Sequence, residues 1–157
     1  MEPQVRSATA AEIEADWREF TGGPPVVGML REYEPVDVEG ILWRDEARGR
    51  AGVVTWWIDG AQAEIVSVHA DPPGSGTGTR IMDAAEEELR SRGVKTVLLA
   101  TTNDNVRALN FYTRRGYRLV RLHLDAMDRV RAVKPGVPPI GRDGLPLQDM
   151  WELEKLL

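Results

Sequence analysis

Short apolar and β-branched runs at Glu39 to Arg44, Gly52 to Asp59 and Ala63 to His69 predict three strands. The last two meet at Asp59-Gly60, a dipeptide that favours a tight hairpin turn, so an antiparallel meander is expected. Upstream, Gln4 to Ser7 predicts a short strand. Thr9 followed by Glu12 is a capping-box pattern, opening a helix with Ile13, Trp17 and Phe20 on one face and a stop near Gly22 and Gly23. The stretch GGPPVVGMLREYEPVDV carries three prolines and predicts a loop with one short helix around Val27 to Glu32.

Downstream the periodicity changes. Ile81, Ala85 and Leu89 stand at helical spacing, which predicts a helix from Gly76 to Arg92 with Gly93 past its end. Val94 to Thr101 follows as a buried-type strand, Asn105 to Arg115 as a helix closed by Gly116, and Tyr117 to Leu124 as a strand. Asp125 to Val133 predicts a short helix. The Pro/Gly-rich KPGVPPIGRDGLPLQD and a last strand, Met150 to Lys155, complete the chain. A meander followed by alternating strands and helices defines a mixed α+β fold.

At 157 residues and 42% hydrophobic, the chain has enough apolar material for one core, and a single domain over 1–157 is expected. No run reaches the ~18 apolar residues of a membrane helix. The start MEPQVRSATAAEIEAD lacks a basic region followed by an apolar run, so a cytoplasmic protein without membrane contact is expected. The absence of cysteine excludes disulfides, thiolate zinc sites and a cysteine nucleophile; with only His69 and His123 as imidazoles, no metal site is expected. A net charge of −5 disfavours nucleic acid and favours cationic small molecules or basic peptides as partners.

Candidate chemistry lies in two segments. In VHADPPGSGTGTRIM, Gly74, Gly76 and Gly78 alternate between a strand and the mouth of a helix. Alternate glycines let backbone approach a ligand closely, and a helix's first turn offers unpaired N–H groups, an arrangement suited to a pyrophosphate. A Walker loop needs Lys after the final glycine, where Thr79 and Arg80 stand, and the Rossmann spacing is also absent. An ordinary flexible turn is the alternative.

The second segment, NDNVRALNFYTRRGY, reads Asn105, two residues, Ala108, two residues, Phe111-Tyr112, then Gly116-Tyr117. This resembles the N-x-x-A-x-x-F-Y helix of the GNAT superfamily of acetyl-CoA-dependent N-acetyltransferases. The glycine run resembles that family's Arg/Gln-x-x-Gly-x-Gly/Ala turn on Pro73 to Gly78, with Pro73 in the place of Arg or Gln. Order and spacing of elements agree from Gln4 to Leu124.

The resemblance implies a GNAT-type, mostly antiparallel sheet of about seven strands, splayed at the cofactor site and flanked by helices. It implies acetyl-CoA as cosubstrate, cradled by Gly74, Ser75, Gly76, Thr77, Gly78 and Thr79. The pantetheine arm would bond the backbone of Val68 and Ala70 like an added strand. Asn105 would bond the cofactor arm or a water, or else cap its helix. Tyr112 would act as general acid to the departing thiolate, a task suited to a phenol of pKa about 10. Glu64 matches the glutamate base of histone-type members; period two places Glu64, Val66 and Val68 on one face, while a solvated strand-start residue, with water as base, is the other reading.

The implied reaction transfers acetyl directly to a primary amine of a small molecule or peptide. A non-catalytic acyl-CoA-binding regulatory module of the same fold is the alternative. The family's acceptor side corresponds to Pro24 to Asp37 and Ala126 to Asp149, with Arg31, Tyr33, Glu34 and Asp149 as polar candidates. Trp56 and Trp57 place one indole on each sheet face, one for the core and the other for the acceptor cleft or a homodimer contact. Ser67 and His69 are expected, one or both, on the face away from the site, and His123 to be structural.

Overall fold

The computed structural model describes residues 2–157; Met1, which the single-domain expectation includes, lies outside them. The chain divides into two compact units, residues 2–95 with Leu157, and Thr96–Leu156.

In the first unit, strand β1 (Gln4–Ser7) leads into helix α1 (Ala10–Phe20). The capping box is formed: the Glu12 amide donates to Thr9 Oγ1 at 3.2 Å and the Thr9 amide to Glu12 Oε1 at 2.9 Å. Ile13 and Trp17 are fully buried and cluster with Tyr33 and Val38. Each such side chain contributes about 1.5–3 kcal/mol by burial. Phe20, expected on the same buried face, is instead 45% exposed. It is the last helical residue, and its ring stacks on His69 with centroids 4.6 Å apart rather than entering the cluster.

No helix forms around Val27 to Glu32. Strands β2 (Val26–Val27) and β3 (Glu32–Tyr33) pair as a small hairpin, followed by a 3-10 turn at Pro35–Asp37. The turn is closed by the Gly28 amide, which donates to the Arg31 carbonyl at 2.9 Å, and by a side chain far away in sequence: Glu64 accepts the Met29 and Leu30 amides, which the turn leaves without backbone partners.

Strands β4 (Glu39–Asp45), β5 (Arg50–Asp59) and β6 (Gln62–Asp71) form the expected meander, with β1 added outside β4; all pairings are antiparallel. The hairpin turn follows Asp59, where Gly60 takes φ +61. Pairing slips beside Thr55 and Trp56: Thr55 faces Ser67 but Trp56 faces Ile65, which leaves Val66 as a bulge. Helix α2 (Thr77–Ser91) buries Ile81, Met82, Ala85 and Leu89. It stops at Gly93, whose φ of +82 lets the Val94 amide turn back to the Leu89 carbonyl at 3.0 Å.

The second unit holds β7 (Thr96–Thr102), α3 (Val106–Arg114), β8 (Arg118–His123), α4 (Ala126–Val133) and β9 (Met150–Leu156). β9 lies between β7 and β8 and is antiparallel to both, with Leu153 fully buried. The Pro/Gly-rich connection is pinned rather than loose. Asp104, 3% exposed, accepts the Arg142 amide at 2.9 Å, and Asn103 Oδ1 accepts the Gln148 and Asp149 amides.

Four main strands in the first unit and three in the second, with two helices in each, give the expected α+β class with seven mostly antiparallel strands. No helix among the described residues is long and apolar enough to cross a membrane.

Candidate active site

The first unit carries the glycine turn. β6 runs through Val68 and Ala70 to Asp71, and Pro72 to Gly76 then lead into α2. Gly74 and Gly76 take φ of +76 and +84, a region that favours glycine. Gly76 is the N-cap and supplies no side chain to the first-turn amides. Those amides point out of the helix with its positive dipole end. The Ser75 and Thr77 hydroxyls bond one another at 2.8 Å, and Thr77 is buried. A β-carbon on Gly52 would stand 2.9 Å from Thr77 Cγ2, so bare backbone on β5 lets the start of α2 sit tightly on the sheet. Pro73 is exposed at the turn.

The bulge at Val66 corrects the expectation that Glu64, Val66 and Val68 share a face. Gly52 packs against α2, and its partner Ala70, with Val68 two residues earlier, faces the same way. Val66 instead packs on the α1 cluster, and Glu64 bonds Tyr33 within that cluster. Nor is Glu64 a solvated strand-start residue, being 1% exposed. Its Oε1 accepts the Tyr33 hydroxyl at 2.6 Å and the Leu30 amide at 3.1 Å; its Oε2 accepts the Met29 amide at 2.6 Å. The carboxylate thereby ties the β2–β3 hairpin to β6. Burial, then the Glu64 bond, pushes the Tyr33 phenol far above its ordinary pKa.

Other acceptor-side candidates are also engaged. Tyr33 is fully buried, which removes it as an acceptor contact. The Arg31 guanidinium lies 5.5 Å from the Tyr33 ring centroid and 5.2 Å from that of Trp57. Trp56 is 2% exposed, while Trp57 packs on the α1 cluster.

In the second unit Asn105 is the N-cap of α3, its Oδ1 accepting the Ala108 amide at 3.1 Å. Tyr112, seven residues on, sits edge-on to Phe111 and Tyr117 with centroids 5.2 and 5.6 Å away. Its hydroxyl makes no hydrogen bond among the described residues. Burial raises the phenol's pKa and the Arg115 guanidinium only partly offsets this, so Tyr112 stays protonated through the neutral range. His123 is held by Glu152 at 2.9 Å, and Asp149 Oδ1 accepts the Asp125 amide at 2.8 Å.

Two groupings were not legible as such in the sequence. Asp104 anchors the connection at Arg142 in the second unit, 38 positions away. In the first, His69 Nδ1 lies 2.5 Å from Asp16 Oδ2, although the two are 53 positions apart. Both Ser67 and His69 face α1, since Trp17 Nε1 donates to Ser67 Oγ at 2.9 Å.

Residues 9–117 match the model of the acetyltransferase (GNAT) family. The chain belongs to that family. It is 32% identical over 145 residues to the uncharacterized protein YxbD of Bacillus subtilis (strain 168), covering 92% of this chain and 91% of that one. Among solved structures, an IAA acetyltransferase from Bacillus cereus ATCC 14579 superimposes with TM-score 0.77 at 16% identity, covering 99% of this chain and 100% of that one. A GNAT family acetyltransferase from Elizabethkingia anophelis with acetyl-CoA bound gives TM-score 0.72 at 15% identity, covering 99% and 98%. At such identities the structural likeness concerns the fold.

Proposed function

We propose that this chain, acting as one domain, is an acetyl-CoA-dependent N-acetyltransferase that moves acetyl directly to a primary amine of a small molecule or peptide. The observation that carries this reading is the left-handed glycine turn from β6 into α2, which leaves the helix's first amides uncapped by any side chain. Such amides suit a pyrophosphate. Val68 and Ala70, just before the turn, offer strand backbone to a pantetheine arm.

In this reading the amine nitrogen bonds to the thioester carbonyl carbon and the carbon–sulfur bond then breaks. The departing thiolate takes a proton from the Tyr112 hydroxyl, which has no competing hydrogen bond. Asn105 serves first as a helix cap. Glu64, with three donors already on its carboxylate, is the weaker of the two base readings beside water. The test is thiol release from acetyl-CoA over a panel of amines. Amine-dependent release supports an enzyme; saturable acetyl-CoA binding without release over the panel supports the regulatory module instead.

A further inference from the structure

The first unit contains a second arrangement with proton-transfer geometry. A cavity of about 260 Å³ is lined by α1 residues including Asp16 and Phe20, by Arg44 of β4, and by His69 and Ala70 of β6. Within it, His69 Nδ1 lies 2.5 Å from Asp16 Oδ2, with the Asp16 side chain 8% exposed. A carboxylate can only accept, so Nδ1 carries the hydrogen and Nε2 keeps its lone pair. Phe20 stacked on the ring holds the imidazole plane. Nε2 has no hydrogen-bond partner among the described residues, and the side chain is 18% exposed. A carboxylate fixing the tautomer of a histidine whose other nitrogen is open is the arrangement of a general base.

We propose that His69 Nε2 is the base that takes the proton from the acceptor's ammonium group, with Asp16 as its positioning residue. This rests on the acetyltransferase reading, in which the pantetheine arm bonds the backbone of Val68 and Ala70; His69 lies between them with its side chain on the opposite, α1 face of the strand, and the acceptor would approach from that face. The balance is simple. The ammonium proton passes to Nε2, giving an imidazolium beside the Asp16 carboxylate, and the freed lone pair attacks the thioester. As the carbon–sulfur bond breaks, the nitrogen's second proton passes through solvent to the phenolate that Tyr112 leaves on protonating the thiolate, and the imidazolium returns its proton to solvent after product leaves. Glu12, Glu19 and Asp71 also line the cavity and favour a cationic amine at its mouth, while Arg44 opposes it. Glu12 is already tied to Arg6 at 2.6 Å. Glu64, by contrast, has both oxygens occupied.

The experiment measures kcat at saturating amine against pH for the wild type, H69Q, H69A and D16N, each checked for folding by circular dichroism. The expected result is an ascending limb in the wild type, lost in H69Q together with about 100-fold of kcat at neutral pH. In D16N kcat falls at every pH with the amine KM little changed, because the amide no longer fixes the Nδ1–H tautomer that leaves Nε2 free to accept. Imidazole added to the buffer restores part of the H69A rate, which a merely structural histidine would not allow. An unchanged limb in H69Q, or no rescue of folded H69A, overturns the proposal while the acetyltransferase reading stands. If the wild type releases no thiol with any amine, the reading fails and the proposal falls with it.

Discussion

The Tyr33 hydroxyl donates to Glu64 Oε1 at 2.6 Å, and the two side chains, 31 positions apart, are both almost fully buried. With the Met29 and Leu30 amides on the same carboxylate, this one side chain meets three donors of the β2–β3 hairpin. Replacing Glu64 by Gln substitutes an NH2 for one of two accepting oxygens and leaves at least one buried donor unpaired. E64Q is expected to lose about 1–3 kcal/mol, and Y33F about 1 kcal/mol, in urea unfolding. A neutral E64Q would show that the hairpin does not depend on the carboxylate.

Gly28 tests the same clamp by sterics. A β-carbon there would lie 2.6 Å from both Glu64 Oε1 and Tyr33 Cε2. G28A is expected to destabilise by about 1–3 kcal/mol, as overpacking does. Thermal melting of G28A alone and combined with Y33F checks this. The two effects should fall short of additive, because both act on the same three residues.

Much of the fold was legible because its signals are local. Thr9 and Glu12 stand three apart and form the box their spacing predicts; Asp59-Gly60 marks a hairpin, and Gly93 and Gly116 end their helices. The hairpin over Val26 to Tyr33 was not legible. Its amides are satisfied by a carboxylate more than thirty residues later, and no local pattern reports that. Strict alternation misplaces Glu64 relative to Val68 for a related reason, since it assumes an unbroken ladder and Val66 interrupts it. For the candidate site, the glycine turn and the Asn105 cap follow from neighbouring residues, whereas the Asp16–His69 pair needed α1 folded onto β6.

Alkaline pH tests the two perturbed phenols together. Burial raises the pKa of both Tyr33 and Tyr112 in the folded chain. Unfolded tyrosines lose their protons near pH 10 while the folded ones keep them, so the stability they confer is complete below about pH 10 and declines above it. Unfolding free energy is therefore expected to fall with rising pH beyond ~10, less steeply in Y33F. A pH-independent stability through that window would contradict both shifts.

Asp104 makes the opposite prediction in acid. Burial opposes its charge, but the Arg142 amide, the Thr102 hydroxyl and the Arg142 guanidinium outweigh it and hold the carboxyl below its ordinary value. Its contribution is present above the unfolded pKa of about 3.9 and is lost as pH falls through the lower folded value. D104A is expected to cost about 1–3 kcal/mol at neutral pH and to release the Pro/Gly-rich connection, read as faster amide exchange at Arg142. Unchanged protection at Arg142 would show that the connection is held by other bonds.

The central claim, that this chain transfers acetyl from acetyl-CoA to an amine with Tyr112 as proton donor, is tested most directly by comparing wild type and Y112F. The measurement is amine-dependent thiol release, alongside calorimetric acetyl-CoA binding. The account predicts robust release by the wild type, a fall of about 100-fold in kcat for Y112F, and nearly unchanged cofactor affinity. Wild-type turnover in Y112F would remove Tyr112 from the mechanism, and acetyl-CoA bound without release by the wild type would contradict the claim itself.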